Sequence, residues 1–183
     1  MTKKILIFLV LVFNFFSVLY LITPTPTLPD LPNSAKSDLP GDTVQIPNVS
    51  AYFTNLTRTE VMNFYKANYN GYFRLQLNHP PEKAKDVILD TIQSYYFEEF
   101  YLPFKESLYV NGFEWENDVF TKPEKRIKNR LLFNDIEYKA KITIRTFPVP
   151  VYQRLIAFFA TQLSLFSIFL LYRSFLKSKK LEK

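Results

Sequence analysis

Hydrophobic side chains dominate two stretches, one near each end of the 183-residue chain. Residues 5–22 and 155–172 each run for 18 positions without a charged side chain. At 1.5 Å per residue, a helix of that length measures about 27 Å, close to the hydrocarbon thickness of a bilayer. The pattern predicts two transmembrane helices, at residues 5–22 and 151–172. A cleaved signal peptide is the alternative for the first stretch, but the apolar run is longer than usual and no small-residue cleavage site follows it.

The excess positive charge lies in the ends of the chain. The formal net charge is +6, yet residues 24–150 carry 15 basic and 16 acidic side chains. Basic residues precede the first apolar stretch and follow the second; they are Lys3, Lys4, Arg173, Lys177, Lys179 and Lys180. The positive-inside rule therefore predicts a cytoplasmic N-terminus at residues 1–4, a basic cytoplasmic tail at residues 173–183 and an extracytoplasmic middle. The same distribution removes the main reason to expect nucleic-acid binding.

Two amides and several small residues interrupt the apolar stretches. Asn14 and Gln162 fall at nearly the same depth if the two helices run antiparallel. Because a buried amide in lipid needs a partner, a hydrogen bond between them is predicted; pairing with another subunit, or neither, is the alternative. The second helix also carries a face of small residues that would let another helix approach closely. This face comprises Ala157, Ala160, Thr161 and Ser164.

Prolines shape the segment that follows the first helix. Residues 23–47 contain six prolines among polar residues. Proline at this density blocks helices and favours extended chain. The segment is predicted to be an extracytoplasmic linker that acts as a stalk, with a proline-rich ligand for a partner protein as the alternative.

The middle of the chain, residues 48–150, begins with helical and strand patterns. Thr57 and Glu60 form a capping-box sequence before an apolar face, which predicts a helix from Arg58 to Asn68. Alternation from Tyr72 to Asn78 predicts a strand with Phe73, Leu75 and Leu77 on one face. A second helix is expected to begin at Pro81. Its buried stripe is predicted to comprise Ala84, Val87, Ile88, Thr91, Ile92 and Tyr95.

Two hairpins are predicted after the second helix. Asn111-Gly112 separates two short apolar runs and is the dipeptide most typical of a tight hairpin turn. Asn134-Asp135 is expected to form the second turn, before a long alternating strand from Ile136 to Arg145. The order of elements predicts an α+β domain in which an antiparallel or mixed sheet carries two helices on one face.

Candidate catalytic residues are few. The chain contains no cysteine, which excludes disulfides and thiolate chemistry. Its single histidine, His79, stands before two prolines and is interpreted as a turn residue. A strand through Glu114, Glu116 and Asp118 would place three carboxylates on one face, where they could bind calcium or act as the acid and base of a glycoside hydrolase; a solvated strand end is the simpler interpretation. No cofactor and no metal site are predicted.

A run of nine residues, 122–130, holds five basic side chains. They are Lys122, Lys125, Arg126, Lys128 and Arg130. A solvated surface loop is the simplest interpretation. The alternative is a patch for an anionic partner, such as lipid headgroups or a cell-wall polymer.

The combined pattern predicts a membrane-anchored extracytoplasmic interaction or structural module without catalytic activity. Its expected partners are the lipid bilayer and another membrane or cell-envelope protein. Two other functions stay open. One is an extracytoplasmic glycan-acting enzyme that uses the paired carboxylates, and the other is a ligand-sensing ectodomain, which the short cytoplasmic tails disfavour.

Overall fold

A computed structural model of the chain describes residues 2–40, 42, 46–69, 71, 73–89 and 93–181. The chain divides into two compact units. The first comprises Met1–Pro24 and Val149–Lys183, and the second is Thr25–Pro148.

The first unit consists of two long helices, α1 (Thr2–Ile22) and α4 (Val151–Leu181). Both are long and apolar enough to cross a membrane. Helix α1 contains the whole stretch predicted at residues 5–22. Helix α4 continues beyond the predicted end at residue 172 into the basic tail, since Leu and Lys both favour helix.

Six strands of the second unit form one antiparallel sheet: β1 (Ser34–Lys36), β2 (Val49–Thr54), β3 (Leu75–His79), β4 (Tyr96–Leu102), β5 (Glu106–Glu114) and β8 (Ala140–Pro148). Their order across the sheet is β1-β2-β8-β5-β4-β3. A separate hairpin pairs β6 (Leu131–Phe133) with β7 (Ile136–Tyr138). The predicted α+β class and the antiparallel sheet are confirmed.

Helix α2, Arg58–Asn68, confirms the first helix predicted in this unit. Its capping box is formed: the Glu60 backbone N–H donates to the Thr57 hydroxyl, and the Glu60 carboxylate accepts from the Thr57 backbone N–H at 2.8 Å. These reciprocal bonds satisfy donors that the helix itself leaves unpaired, worth about 1 kcal/mol. The apolar face of α2 packs on the sheet in the main core.

The second predicted helix is shorter than the apolar stripe suggested. Pro81–Lys83 forms a 3-10 turn, and helix α3 then spans only Ala84–Ile88. It ends at Leu89, where a φ of 67° breaks the helical path. Residues 91 and 92 of the predicted stripe lie outside the described residues, and Tyr95 lies next to β4, well past the helix.

Helices α2 and α3 lie on opposite faces of the sheet, so the prediction of both helices on one face is wrong. Helix α3 packs on Phe97, whereas α2 shares the main core with Phe100 of the same strand. Residues at odd and even positions of a strand point to opposite sides, which separates these two contacts. The sheet is therefore covered on both faces, though only partly on the side of α3.

The turn predicted at Asn111-Gly112 is wrong, because both residues lie inside the continuous strand β5. Asn111 is buried and accepts a hydrogen bond from the Ser94 hydroxyl at 2.6 Å. Gly112 pairs with Tyr96, whose ring occupies the space that a Cβ at position 112 would fill. The glycine therefore makes room for an aromatic neighbour. The actual reversal joins β4 to β5 through Phe104, which has a φ of 61°.

The turn predicted at Asn134-Asp135 is confirmed. The two residues have φ values of 51° and 59°, the left-handed backbone of a two-residue hairpin loop. The strand predicted after the turn is interrupted at Lys139, whose backbone N–H donates to Asn55 Oδ1 at 3.0 Å. Its first part joins the small hairpin as β7, and the remainder joins the main sheet as β8.

Much of the Pro-rich segment belongs to the domain and is not a stalk. Strand β1 lies inside this segment and pairs with β2. Leu31 is buried in the main core, and Asp30 accepts a hydrogen bond from the Tyr52 hydroxyl at 2.8 Å. The compact unit accordingly begins at Thr25.

Candidate functional site

Strand β3 forms one edge of the main sheet and exposes apolar side chains there. It pairs with β4 through five residue pairs, and in the described part of the chain no strand pairs with its other side. Leu75 is 53 % exposed, Leu77 is 44 % exposed, and Phe73 just before the strand is 66 % exposed. Three large apolar side chains at alternate positions thus stand in solvent beside an open row of backbone donors and acceptors.

The other face of β3 is held to the domain by polar contacts. Gln76 donates to Glu98 Oε2 on the neighbouring strand. Arg58 at the start of α2 donates to Glu98 Oε1 from Nε at 3.0 Å and from Nη2 at 2.7 Å. Arg74 donates to two backbone carbonyl oxygens at the end of α2. These contacts fix the strand in place while its apolar face stays open.

Glu98 is a buried carboxylate whose charge is balanced locally. Its side chain is only 6 % exposed, and a buried charge without a partner would cost several kcal/mol. Arg58 supplies the opposite charge, and its guanidinium carbon lies 4.9 Å from the centre of the Tyr96 ring. Burial raises the pKa of the Tyr96 hydroxyl, and the nearby Glu114 carboxylate raises it further, so this phenol stays neutral at physiological pH.

A second buried carboxylate, Glu99, lies on the opposite face of β4 and joins His79 to Ser107. His79 Nε2 lies 2.8 Å from Glu99 Oε2, and the Ser107 hydroxyl donates to Oε1 at 2.6 Å. In a catalytic triad the histidine stands between the serine and the acid, whereas here the acid stands between the other two. His79, interpreted from sequence as a turn residue, is the last residue of β3. The cluster therefore ties the end of β3 to β4 and β5.

Two clefts meet at Arg58 and Tyr95, at the end of the sheet where β3 finishes. The first has a volume of about 340 Å³ and is lined by residues 55–59, Glu114, Glu116, Lys139 and Ala140. The second, of about 390 Å³, is lined by residues 78–81 and Tyr96. Arg58 and Tyr95 contribute to both. The first cleft combines carboxylates, cations and an aromatic ring, a mixture suited to a polar ligand with several hydrogen-bonding groups.

The three acidic residues predicted to share a strand face do not do so. Glu114 ends β5, and Trp115–Asn117 forms a 3-10 turn that redirects the chain. Glu114 and Glu116 line the same cleft. Asp118 is fully buried and accepts hydrogen bonds from two side-chain amides and one backbone N–H at 2.9–3.0 Å. Asp118 therefore holds neighbouring loops together through these hydrogen bonds. An acid–base role for Glu114 and Glu116 stays a prediction.

The five basic residues predicted as an anionic-partner patch lie on and beside a 3-10 helix, Pro123–Asn129. Arg126 donates to two backbone carbonyl oxygens of the domain, and Arg130 pairs with Glu137 at 3.6 Å. The remaining three are exposed lysines: Lys122, Lys125 and Lys128.

The predicted hydrogen bond between Asn14 and Gln162 is not formed. The Asn14 amide donates instead to a backbone carbonyl oxygen one turn earlier in α1, at 2.8 Å. The two long helices meet through Phe158 of α4, whose ring centre lies 6.4 Å from that of Phe13. They also meet through Arg154, which is 5 % exposed.

Arg154 links the two helices through backbone carbonyl groups. Its Nη1 donates to the carbonyl oxygens of Leu21 at 3.1 Å and Thr23 at 3.3 Å, where α1 ends. Its Nε donates to the carbonyl oxygen of Val149 at 2.6 Å. The last carbonyls of a helix lack partners within the helix and carry partial negative charge, so a cation is favourable there.

The small-residue face of α4, predicted to let another helix approach closely, is exposed. Its members, Ala157, Ala160, Thr161 and Ser164, are all exposed, whereas Arg154 and Phe158 of the same helix are buried. The two hydroxyl groups of this face donate to carbonyl oxygens one turn earlier in the same helix, at 2.8 and 2.9 Å. Contact between this face and another subunit stays a prediction.

Comparison with known proteins gives no relative for this chain. No protein-family model, no curated protein and no solved structure matches it. Within the described ranges, no group of three or more metal-binding side chains comes together.

One pattern in the sequence indicates the buried pair Glu98-Glu99. The two acids are adjacent in the middle of an aromatic run at residues 95–101. If that run is a strand, the two carboxylates point to opposite faces and each needs its own partner. Arg58 and His79 are those partners.

Proposed function

We propose that this chain is a membrane-anchored interaction module, and that the edge of β3 binds an extended segment of a partner protein by adding it to the sheet. The observation that carries this proposal is the exposure of Phe73, Leu75 and Leu77 beside a sheet edge with which no described strand pairs. An added strand would pair with the open backbone groups and cover these side chains. Covering what each now exposes would be worth about 1 kcal/mol, which is a useful share of a binding free energy.

The proposal also places the second unit outside the cytoplasm. Helices α1 and α4 have the length and hydropathy of membrane spans. The lysines before α1 and the basic residues after α4 favour a cytoplasmic position for both termini. The partner is then a membrane or cell-envelope protein that meets residues 25–148 on the far side of the bilayer.

The two faces of β3 define the kind of segment that would bind. Leu75 and Leu77 point to one face, and Gln76 on the other face is engaged with Glu98. Side chains of an added strand lie beside those of the edge strand, on the same two faces. We therefore expect a partner segment with apolar residues at every second position and polar residues between them.

Site-specific crosslinking tests the binding surface. The chain has no cysteine, so the single substitutions Leu77→Cys and Ala35→Cys each create one labelling site, on β3 and on β1 respectively. Each variant would carry a short photo-crosslinker in intact cells of the native source. Adducts of one defined mass from position 77, absent from position 35, support the proposal. Equal adducts at both positions, or none at 77, overturn it.

Labelling with a membrane-impermeant maleimide tests the placement separately. Lys128→Cys lies on the exposed surface of the second unit, and Ser178→Cys lies in the basic tail. On intact cells we expect label at position 128 and none at 178 until the membrane is permeabilised. Label at 178 in intact cells would reverse the proposed orientation, without bearing on the edge of β3.

A glycan-acting enzyme is the second candidate, because Glu114 and Glu116 line one cleft together with Tyr95. It ranks below the interaction module, since Glu116 is exposed and Glu114 is only half-buried, whereas a catalytic acid usually gains its raised pKa from burial. Release of reducing ends from cell-wall glycan by the purified chain, abolished in Glu114→Gln, would favour the enzyme.

A further inference from the structure

We infer that a second surface, the lysine ridge formed by Lys122, Lys125 and Lys128, binds the anionic surface of a lipid bilayer. This ridge is separate from the β3 edge and does not depend on the function proposed for it. Its basis is the geometry of the 3-10 helix Pro123–Asn129 together with exposed apolar side chains within the helix and in the residues just before it.

A 3-10 helix sorts its residues into three straight rows. It has three residues per turn, so side chains at positions i and i+3 eclipse one another. Lys125 and Lys128 therefore lie in one row, about 6 Å apart at a rise of about 2 Å per residue. Lys122 immediately precedes the helix and accepts the Lys125 backbone N–H at 2.9 Å, which places it one turn earlier.

A different row of the same helix faces the domain. Arg126 Nη1 donates to the carbonyl oxygen of Glu116 at 2.7 Å, and Asn129 Nδ2 donates to the buried Asp118 at 3.0 Å. Because Arg126 and Asn129 are three residues apart, they also share a row. With that row turned inward, the lysine row faces solvent, and all three lysines are exposed.

The charge on this surface is largely uncompensated. Within residues 122–130 the single acidic residue is Glu124, against five basic residues. Arg130 is paired with Glu137, and none of the ion pairs found among the described residues involves a lysine of the ridge. The lysines are thus available to an external anion.

Exposed apolar side chains distinguish a bilayer from a soluble polyanion. Ile127 is 55 % exposed within the helix, and Val119 and Phe120, just before it, are 53 % and 48 % exposed. A soluble polyanion would engage the lysines and leave these side chains in water. A bilayer interface engages both, because basic groups meet the headgroups while apolar side chains enter the acyl boundary.

Vesicle flotation with the full chain tests the inference. The chain would be held in nanodiscs of phosphatidylcholine and mixed with vesicles of phosphatidylcholine alone or with about one third phosphatidylglycerol. We expect flotation with the anionic vesicles only, weakened by salt. Lys125→Gln with Lys128→Gln should weaken it about 25-fold, since each lysine near an anionic surface contributes about fivefold. The matched control is Lys83→Gln with Lys85→Gln, two exposed lysines, the first just before α3 and the second within it, whose loss should change little.

Two further measurements test whether the ridge binds the membrane that holds the chain itself, and whether it binds a soluble polyanion instead. If the ridge contacts the membrane in which the chain itself is held, acetylation of Lys125 and Lys128 should be slower in phosphatidylglycerol nanodiscs than in phosphatidylcholine nanodiscs. Ile127→Ser should weaken vesicle binding while leaving the lysines intact. Absence of both flotation and protection overturns the inference. Binding to inorganic polyphosphate that exceeds vesicle binding and is unaffected by Ile127→Ser also overturns it, in favour of a soluble polyanion.

Discussion

The two edges of the main sheet, β1 and β3, end the same structure in different ways. Strand β1 has three residues, with the small side chains of Ser34 and Ala35, and its Lys36 pairs with Asp30 at 2.8 Å. Strand β3 has five residues, and two of them are exposed leucines. Shortness, charge and nearby proline are the features by which proteins keep an edge from pairing with another chain. β1 has all three, whereas β3 has Pro80 directly after it but is longer and carries uncharged, exposed leucines at positions 75 and 77.

The difference between the two edges shows which side of the sheet the domain covers and which side it leaves exposed. The chain that leads into β1 folds back over the domain, with Leu31 in the core and Asp30 bonded to Tyr52. β3 receives no such cover from the described residues, yet Gln76 and Arg74 hold it firmly in the sheet. A strand that is already paired and hydrogen-bonded within the sheet is suited to accept another strand at its open edge, because little ordering of the strand is required when it binds.

The largest predicted effect is on the free energy of unfolding, and it compares the ion pairs near the two edges of the sheet. Arg58→Ala removes the cation from the buried Glu98 on the β3 side, and Lys36→Ala removes the cation from the exposed Asp30 on the β1 side. We expect Arg58→Ala to lower the free energy of unfolding by about 3 kcal/mol, because an unpaired buried charge remains. Lys36→Ala should cost less than about 1 kcal/mol, as exposed ion pairs do. Urea unfolding of both variants measures the difference.

Arg58→Met is the control that separates charge from packing, since it keeps an extended side chain over Tyr96 without the cation. It should lose nearly as much stability as Arg58→Ala. Equal and small losses in Arg58→Ala and Lys36→Ala would mean that Glu98 is not dependent on its cation, and the contrast between the two edges would then be wrong.

The next effect concerns partner binding. Leu75→Lys with Leu77→Lys gives β3 the charged character that protects natural edges, and should lower the yield of the partner crosslinked or co-purified through this surface at least about tenfold. Ala35→Lys places a lysine on the opposite edge and should leave the yield unchanged. Quantitative mass spectrometry of the purified complexes measures both.

A second copy of the chain is the alternative occupant of the β3 edge in that experiment. Sedimentation of the purified chain in mild detergent identifies it by mass. If the wild type is a dimer and the double lysine variant is a monomer, the β3 edges of two copies bind each other. The proposal of a different protein as the partner would then be wrong.

Sequence analysis succeeded where one local pattern determines the structure. The two long apolar stretches became α1 and α4, and the capping box of Thr57 and Glu60 became the start of α2. Asn134-Asp135 formed its turn because both residues tolerate the left-handed backbone that a two-residue loop requires. In each case the information lies within a few consecutive residues or in a continuous hydrophobic run.

Sequence analysis failed where a residue far away in the chain determines the local structure. Gly112 looks like a turn residue, but it lies within a strand because the Tyr96 ring of the neighbouring strand needs its space. Phe73 and Leu75 resemble one face of an ordinary half-buried strand, and only the strand order shows that they lie on an uncovered edge. Asn14 has an alternative partner in its own helix, so its depth in the apolar stretch did not determine its contact.

The smallest effect concerns the pH dependence of the β1 edge. A hydrogen bond from Lys36 and a second from Tyr52 hold the pKa of the Asp30 carboxyl below its usual value of 3.8. A lowered folded-state pKa stabilises the domain above pH 3.8, and this contribution is lost as the pH falls through the folded-state value. Wild type should therefore exceed Asp30→Asn in unfolding free energy by less than about 1 kcal/mol at pH 7, since Asp30 is exposed, and the two should converge as the pH falls below the folded-state pKa. Amide exchange, corrected for intrinsic rates, should rise on β1 with acid and stay constant on β3. An equal rise on both strands would show that acid loosens the whole sheet and that the two edges do not differ in this respect.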